Sequence, residues 1–174
     1  MFENTGRKID SCDGDPRVKI VAFGSYHSGK TSFVKCINPN TISTEVKSGN
    51  GSTTVAFDLA IREHNGLKLY VYGTPGQERF ETARTVVSFG LHAGIVIVDS
   101  TRGMTDFEKK ILSELRARNI PCVVLANKQD MPGASLDKVV SDADGFTDIY
   151  PISARTGQGV PVVLDRLVEL VKPN

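Results

Sequence analysis

Hydrophobic and polar positions divide the chain into segments with two different periods. Residues 18–23 (VKIVAF) are a mostly apolar run and predict a strand. Residues 31–37 (TSFVKCI) follow with a helix-like pattern. Residues 38–51 are polar and rich in Ser, Thr, Asn and Gly, which reads as a long loop of the functional or disordered kind. The next stretch alternates: Val55, Phe57, Leu59 and Ile61 face one way, Ala56, Asp58, Ala60 and Arg62 the other. That period predicts a strand with one buried face. Leu67, Leu69 and Val71 repeat it after Asn65-Gly66. This pair tolerates positive φ at both positions and so favours a two-residue hairpin. The two strands are therefore expected to be antiparallel, with the first at the sheet edge.

The remainder alternates strand and helix. Residues 95–98 and 122–126 are unbroken apolar runs, the pattern of parallel strands covered on both faces. Between them Phe107, Ile111 and Leu115 are four apart on one helix face, and Thr105 and Glu108 have capping-box spacing. A short run at 149–152 precedes a helical stripe of Val160, Val163, Leu164, Leu167, Leu170 and Val171, with Pro161 suited to its first turn. The fold expected is a doubly wound α/β sheet with helices on both faces: six strands, mostly parallel, with one antiparallel edge strand. Residues 1–16 are polar, with Gly6, Gly14 and Pro16, and are expected to form a mobile tail. One domain then spans residues 17–174.

The chemistry concentrates after the first strand. Gly24, Ser25, Tyr26, His27, Ser28, Gly29, Lys30 and Thr31 read G-x-x-x-x-G-K-T, with Ser32 next. This is the P-loop pattern of P-loop NTPases. The glycines let the backbone curl so that successive N–H groups point at an anion. Lys30 supplies charge for the β- and γ-phosphates, and the Thr31 hydroxyl is a hard oxygen ligand for Mg²⁺. A helix starting here adds the positive end of its dipole. The strand before the motif and the helix pattern after it separate this reading from an ordinary Gly-rich turn.

Composition narrows the class. The chain has 174 residues, 40% hydrophobic and 24% charged, with a net charge of +1. That balance argues against a nucleic-acid partner held by a basic surface. Cys12, Cys36 and Cys122 have neither zinc spacing nor a disulfide framework. Cys36 and Cys122 are expected as buried small hydrophobes. No apolar run would span a bilayer, and neither terminus carries a lipidation motif. The cytosol is therefore the expected compartment.

Four further segments fall at strand ends, where such folds bind ligands. They are Thr53-Thr54, Tyr72-Gly73-Thr74-Pro75-Gly76-Gln77-Glu78-Arg79-Phe80, Asn127-Lys128-Gln129-Asp130 and Ser153-Ala154-Arg155. With the P-loop they resemble, in order and spacing, the five motifs of the Ras-like small GTPases, over nearly the whole chain. The wording TTVAFD and GTPGQERF looks most like the bacterial and archaeal members, and also resembles the Rab branch. The resemblance implies GTP and GDP as substrate and product, with Mg²⁺. Asp130 would then accept from guanine N1 and N2, Asn127 would buttress the loop, the Lys128 stem would lie on the base, and the Ala154 N–H would meet O6. Thr54 would reach Mg²⁺ and the γ-phosphate, with Thr53 as the neighbouring alternative. Gly76 would bond the γ-phosphate and Gln77 would orient the attacking water.

Two departures stand out. Most of the superfamily carries Asp at the position of Gly73, where it holds Mg²⁺, usually through water. Gly73 supplies no carboxylate. Mg²⁺ is then expected to be held by Thr31, phosphates and waters, with Thr54 joining in the GTP state, and more weakly than usual. Tyr26 stands where a small residue is common; it either crowds the γ-phosphate or points to solvent. His27 is expected to meet the nucleotide through the loop backbone rather than its side chain, and His64 and His92 are expected to be structural. The resulting expectation is a GTP-binding switch with slow intrinsic hydrolysis. Its expected partners are an activating protein and an exchange factor, which are often roadblock-type in prokaryotic relatives. Effectors would bind from Asn38 to Thr54 and from Thr74 to Ser88. The alternatives are a nucleotide-gated binding module with little hydrolysis, and another P-loop enzyme such as an ATPase or small-molecule kinase.

Overall fold

Every expected apolar run forms a strand or helix in the computed structural model, which describes residues 16–47, 54–75 and 89–172. The strands are β1 (Arg17–Phe23), β2 (Ile42–Lys47), β3 (Thr54–His64), β4 (Leu67–Gly73), β5 (Ala93–Asp99), β6 (Cys122–Asn127) and β7 (Ile149–Pro151). The described helices are α1 (Lys30–Ile37), α2 (Asp106–Ala117), α3 (Leu136–Asp142) and α4 (Val160–Val171). The sheet order is β2-β3-β4-β1-β5-β6-β7. β4, β1, β5, β6 and β7 are parallel, and β3 is antiparallel to β4. The hairpin turn is Asn65-Gly66, with φ of 48° and 78°. The six expected strands are thus present with the expected antiparallel member.

A seventh strand corrects one expectation. Part of the polar stretch read as a loop is β2, which pairs antiparallel with β3 from Ile42↔Leu59 to Lys47↔Thr54. β3 is therefore not the edge strand. An edge strand finds its partner through the main-chain ladder, which needs no apolar pattern in the sequence.

Period-two alternation sorts the central strands between two cores. Val18, Ile20 and Ala22 join Ile95, Ile97, Val123 and Leu125 under α1 and α4. Val21, Phe23, Val96, Val98, Val124 and Ala126 face α2 and α3. Both faces are covered, as unbroken apolar strands require. β3 departs from its expected single face: Phe57 is buried on one side and Ala60 on the other, beneath α1. α2 buries Glu108, Leu112 and Leu115, with Ile111 at the margin, so its inner face is rotated from the expected Phe107 stripe. Cys122 is buried and its thiol is pushed up to about 11 by burial, whereas Cys36 is only half-buried. His64 and His92 have structural bonds, to Asp165 Oδ1 at 2.7 Å and from the Lys19 N–H at 3.0 Å. Among the described residues no helix is long and apolar enough to cross a membrane. Residues 1–15 lie outside the described set.

Candidate functional site

β1 ends at Phe23 and α1 begins at Lys30, so residues 24–29 form the loop at the sheet's C-terminal edge. Close packing explains its two glycines. A Cβ on Gly24 would lie 2.4 Å from the Ile97 carbonyl oxygen, and one on Gly29 2.2 Å from Asn127 Nδ2. Gly29 also has φ of 101°, which any other residue would adopt only with strain. Lys30 is buried and folds back over the loop, donating to the carbonyls of Gly24 at 2.9 Å and Ser25 at 2.6 Å. Ser28 is buried, while Tyr26 is 60% exposed and packs edge-on against the exposed His27 ring. Tyr26 therefore takes the solvent-facing alternative. Its neighbour Ser25 donates its N–H to the buried Glu108 Oε1 at 2.9 Å. The other Glu108 oxygen caps α2 through the N–H and hydroxyl of Thr105. One carboxylate thus ties the phosphate loop to a helix start.

Thr31 and Ser32 open α1 and are exposed. The Thr31 hydroxyl donates to Asp58 Oδ2 at 2.7 Å. A hydroxyl and a carboxylate oxygen at the mouth of a phosphate loop are hard donors that suit Mg²⁺. Among the described residues no group of three or more His, Cys, Asp or Glu could hold a metal. Phosphate and water oxygens would have to complete any coordination shell here.

The other side of the loop is built by β6 and the turn after β7. Asn127 is 2% exposed and spans the two. Its Nδ2 donates to the Ser28 carbonyl at 2.9 Å, and its Oδ1 accepts from the Ala154 N–H at 2.9 Å. Asp130 Oδ1 accepts from Ser153 Oγ at 2.5 Å, and Oδ2 from Arg155 Nε at 2.7 Å. The Ser153 bond, opposed by burial and assisted by Arg155, holds the Asp130 carboxyl below the usual carboxylate range. It is an anionic acceptor at neutral pH. Lys128, with φ of 70°, donates to Asp99 Oδ2 at 2.6 Å. Burial alone would raise the Asp99 carboxyl, but bonds from Lys128 and Thr101 outweigh it and keep Asp99 ionised. A groove of roughly 350 Å³ runs beside these loops, lined by Ser32, Cys36, Ala154, Arg155 and Gly157 among others.

The structure thus brings together Gly24 through Ser32 with Asn127, Lys128, Asp130, Ser153, Ala154 and Arg155. Thr54 opens β3 opposite Lys47, its side chain lying outside the described set. Gly76 and Gln77 lie outside the described residues, as does most of the stretch from Thr74 to Ser88. Sequence reasoning missed three carboxylates. Glu108 carried a visible capping signal but no sign of its bond to the loop. Asp58 read as a strand-face polar residue, and Asp99, just past the 95–98 run, carried no signal.

A P-loop between the first strand and first helix of a mostly parallel sheet, joined by a buried Asn to a turn holding an anionic acceptor, is the layout of a P-loop nucleotide-binding domain. Comparison with known proteins takes this further. The family model described as Elongation factor Tu GTP binding domain matches residues 15–173. The chain belongs to this family of G domains. Translation initiation factor IF-2 of Thermotoga sp. (strain RQ2) is 26% identical over 171 residues, covering 91% of this chain and 24% of that protein. An uncharacterized protein of Methanocaldococcus jannaschii is 31% identical over 114 residues, 66% of this chain and 71% of that protein. The chain spans about a quarter of the length of the initiation factors it matches. Among solved structures, the G domain of the FeoB iron transporter of T. maritima superposes with a TM-score of 0.71 at 16% identity, over 90% of this chain and 99% of that one. Elongation factor SelB of Methanococcus maripaludis, in complex with the GTP analogue GppNHp, gives 0.69 at 19% identity, over 88% and 33%. These structures share the fold. The relatives named here support the G-domain class and do not single out the Ras-like or Rab branch.

Proposed function

We propose that the chain is a GTP-binding switch that hydrolyses GTP to GDP and phosphate with Mg²⁺, slowly unless a partner assists. The observation that carries this reading is the Asn127 bridge between Ser28 and Ala154. It ties the P-loop to the turn whose Ser153 holds Asp130, and a guanine nucleotide would span these two parts. Asp130 would pair with guanine N1–H and N2–H, a donor pair that adenine lacks. Lys30, now donating to its own loop, would turn its ammonium to the β- and γ-phosphates. Thr31 is suited to Mg²⁺, which would neutralise phosphate charge, and Thr54 is proposed to join it in the GTP state. Hydrolysis needs only positioning and charge neutralisation, with Gln77 proposed to orient the water and Gly76 to bond the γ-phosphate. Loss of the γ-phosphate would release both flanking segments, giving the switch. The stretches from Asn38 to Thr54 and from Thr74 to Ser88 would bind effectors. The GTPGQERF wording supports a Ras-like position within the class, with an activating protein and an exchange factor, of roadblock type in the prokaryotic manner.

The test pairs competition of GTP against ATP with single-turnover phosphate release from wild type and Gln77→Ala. Preference for GTP with slow release that drops further in the variant is expected. Equal affinity for ATP would overturn the guanine reading. Tight GTP binding without release in either protein would favour the second reading, a nucleotide-gated binding module.

A further inference from the structure

Gly73 leaves the Mg²⁺ site without the carboxylate that such sites use, yet a carboxylate lies beside the P-loop threonine. We propose that Asp58, on β3, supplies the acidic group of the Mg²⁺ site in place of Gly73 on β4. The inference rests on the nucleotide-Mg²⁺ reading above and names a residue that it did not contain.

Three observations converge on Asp58. First, it is the direct antiparallel partner of Gly73 in the β3–β4 register. Directly opposed residues project their side chains to the same face of a sheet. A Cβ placed on Gly73 would lie 3.7 Å from Asp58 Cβ. Moving the acid from one strand to the next therefore shifts its root by little more than two bond lengths. Second, Asp58 Oδ2 already accepts from the Thr31 hydroxyl at 2.7 Å. That hydroxyl belongs to the P-loop residue whose oxygen suits Mg²⁺. Third, Asp58 is half-buried, and the hydrogen bond its carboxylate accepts comes from a neutral hydroxyl, that of Thr31. Asp99, Asp130 and Asp148 are each paired with Lys or Arg. A carboxylate beside a hydroxyl and a P-loop suits a hard divalent cation.

The space at Gly73 agrees with this exchange. A Cβ there would stand 3.2 Å from Val34 Cγ2, tighter than ordinary contact. α1 packs against the bare strand, and the acid reaches the loop from the neighbouring one. The consequence reverses the expectation of a weak metal site drawn from Gly73 alone.

The experiment measures release of a fluorescent GDP from the intact chain across magnesium concentrations, from chelator to saturation. Wild type is compared with Asp58→Asn and Asp58→Ala. Asn can still accept the Thr31 hydroxyl, so this variant removes charge while keeping the contact. The readout is the magnesium concentration at half effect, which a general loosening of the fold does not move. Both variants should raise it by about 10- to 100-fold, the usual cost of losing a group that supports a metal site. Manganese titration followed by electron paramagnetic resonance on the GDP-bound protein should show the same weakening. Identical half-effect concentrations in all three proteins would overturn the inference and leave the nucleotide reading intact. A wild type that binds no guanine nucleotide, or releases it regardless of magnesium, would overturn both.

Discussion

Removing the Asn127 side chain should separate the two halves of the site, and its cost follows from the bonds it makes. Asn127→Ala deletes the donor to the Ser28 carbonyl and the acceptor of the Ala154 N–H, each at 2.9 Å. Ser28 is 0% exposed and Ala154 5%, so water does not readily replace either partner. A buried polar group left unpaired costs about 1–3 kcal/mol, so two of them cost roughly 2–6 kcal/mol. A domain holds about 5–15 kcal/mol in total. The variant should therefore fold but with a markedly lower urea midpoint and an unchanged slope. Nucleotide release should quicken as well, because the phosphate loop and the Ala154 N–H lose their common support. Asn127→Asp is the informative companion. It keeps an acceptor for Ala154 but turns a carboxylate oxygen toward the Ser28 carbonyl, and should be no more stable than the alanine variant. A loss for Asn127→Ala within about 0.5 kcal/mol, the range of ordinary surface substitutions, would refute the reasoning.

Two further predictions concern Glu108 and Arg166. In Glu108→Gln one of the two carboxylate acceptors becomes an NH₂ group facing an N–H of Ser25 or Thr105. The variant should lose about 1–3 kcal/mol in urea unfolding and release GDP faster; wild-type behaviour in both would count against a Glu108 tie to the loop. Arg166 donates to Asp148 at 3.1 and 2.8 Å, and with Tyr150, against burial, it holds that carboxyl below its ordinary value. A depressed folded-state value means that this stabilisation is present above the unfolded value near ~3.9 and is lost as pH falls through the folded one. Arg166→Ala should therefore be less stable than wild type at neutral pH, with the gap closing on acidification below about pH 4. A gap constant down to the lowest pH at which both proteins fold would contradict this.

Much of the molecule was legible along the chain because its signals are local. Asn65-Gly66 specifies a turn through the conformations those two residues tolerate. Thr105 and Glu108 cap a helix across three residues, and the capping box forms as the spacing predicts. The glycines and Lys30 of the loop act within one turn of chain. Apolar period alone distinguished the covered central strands. What the tertiary structure decided is which distant residues become neighbours. β2 carries no apolar signal, and its ladder to β3 exists only because β3 is there to pair with it. Glu108 reads as a cap, and only packing of α2 against the sheet sets it under Ser25, 83 residues away. Asp58 reads as the polar side of an alternating strand, and only the hairpin register places it opposite Gly73. Backbone conformation is governed by short-range sterics and hydrogen bonds that neighbouring residues encode. Cross-strand and helix-to-loop proximity is set by the closing of the whole sheet, to which every strand contributes and which no single segment contains.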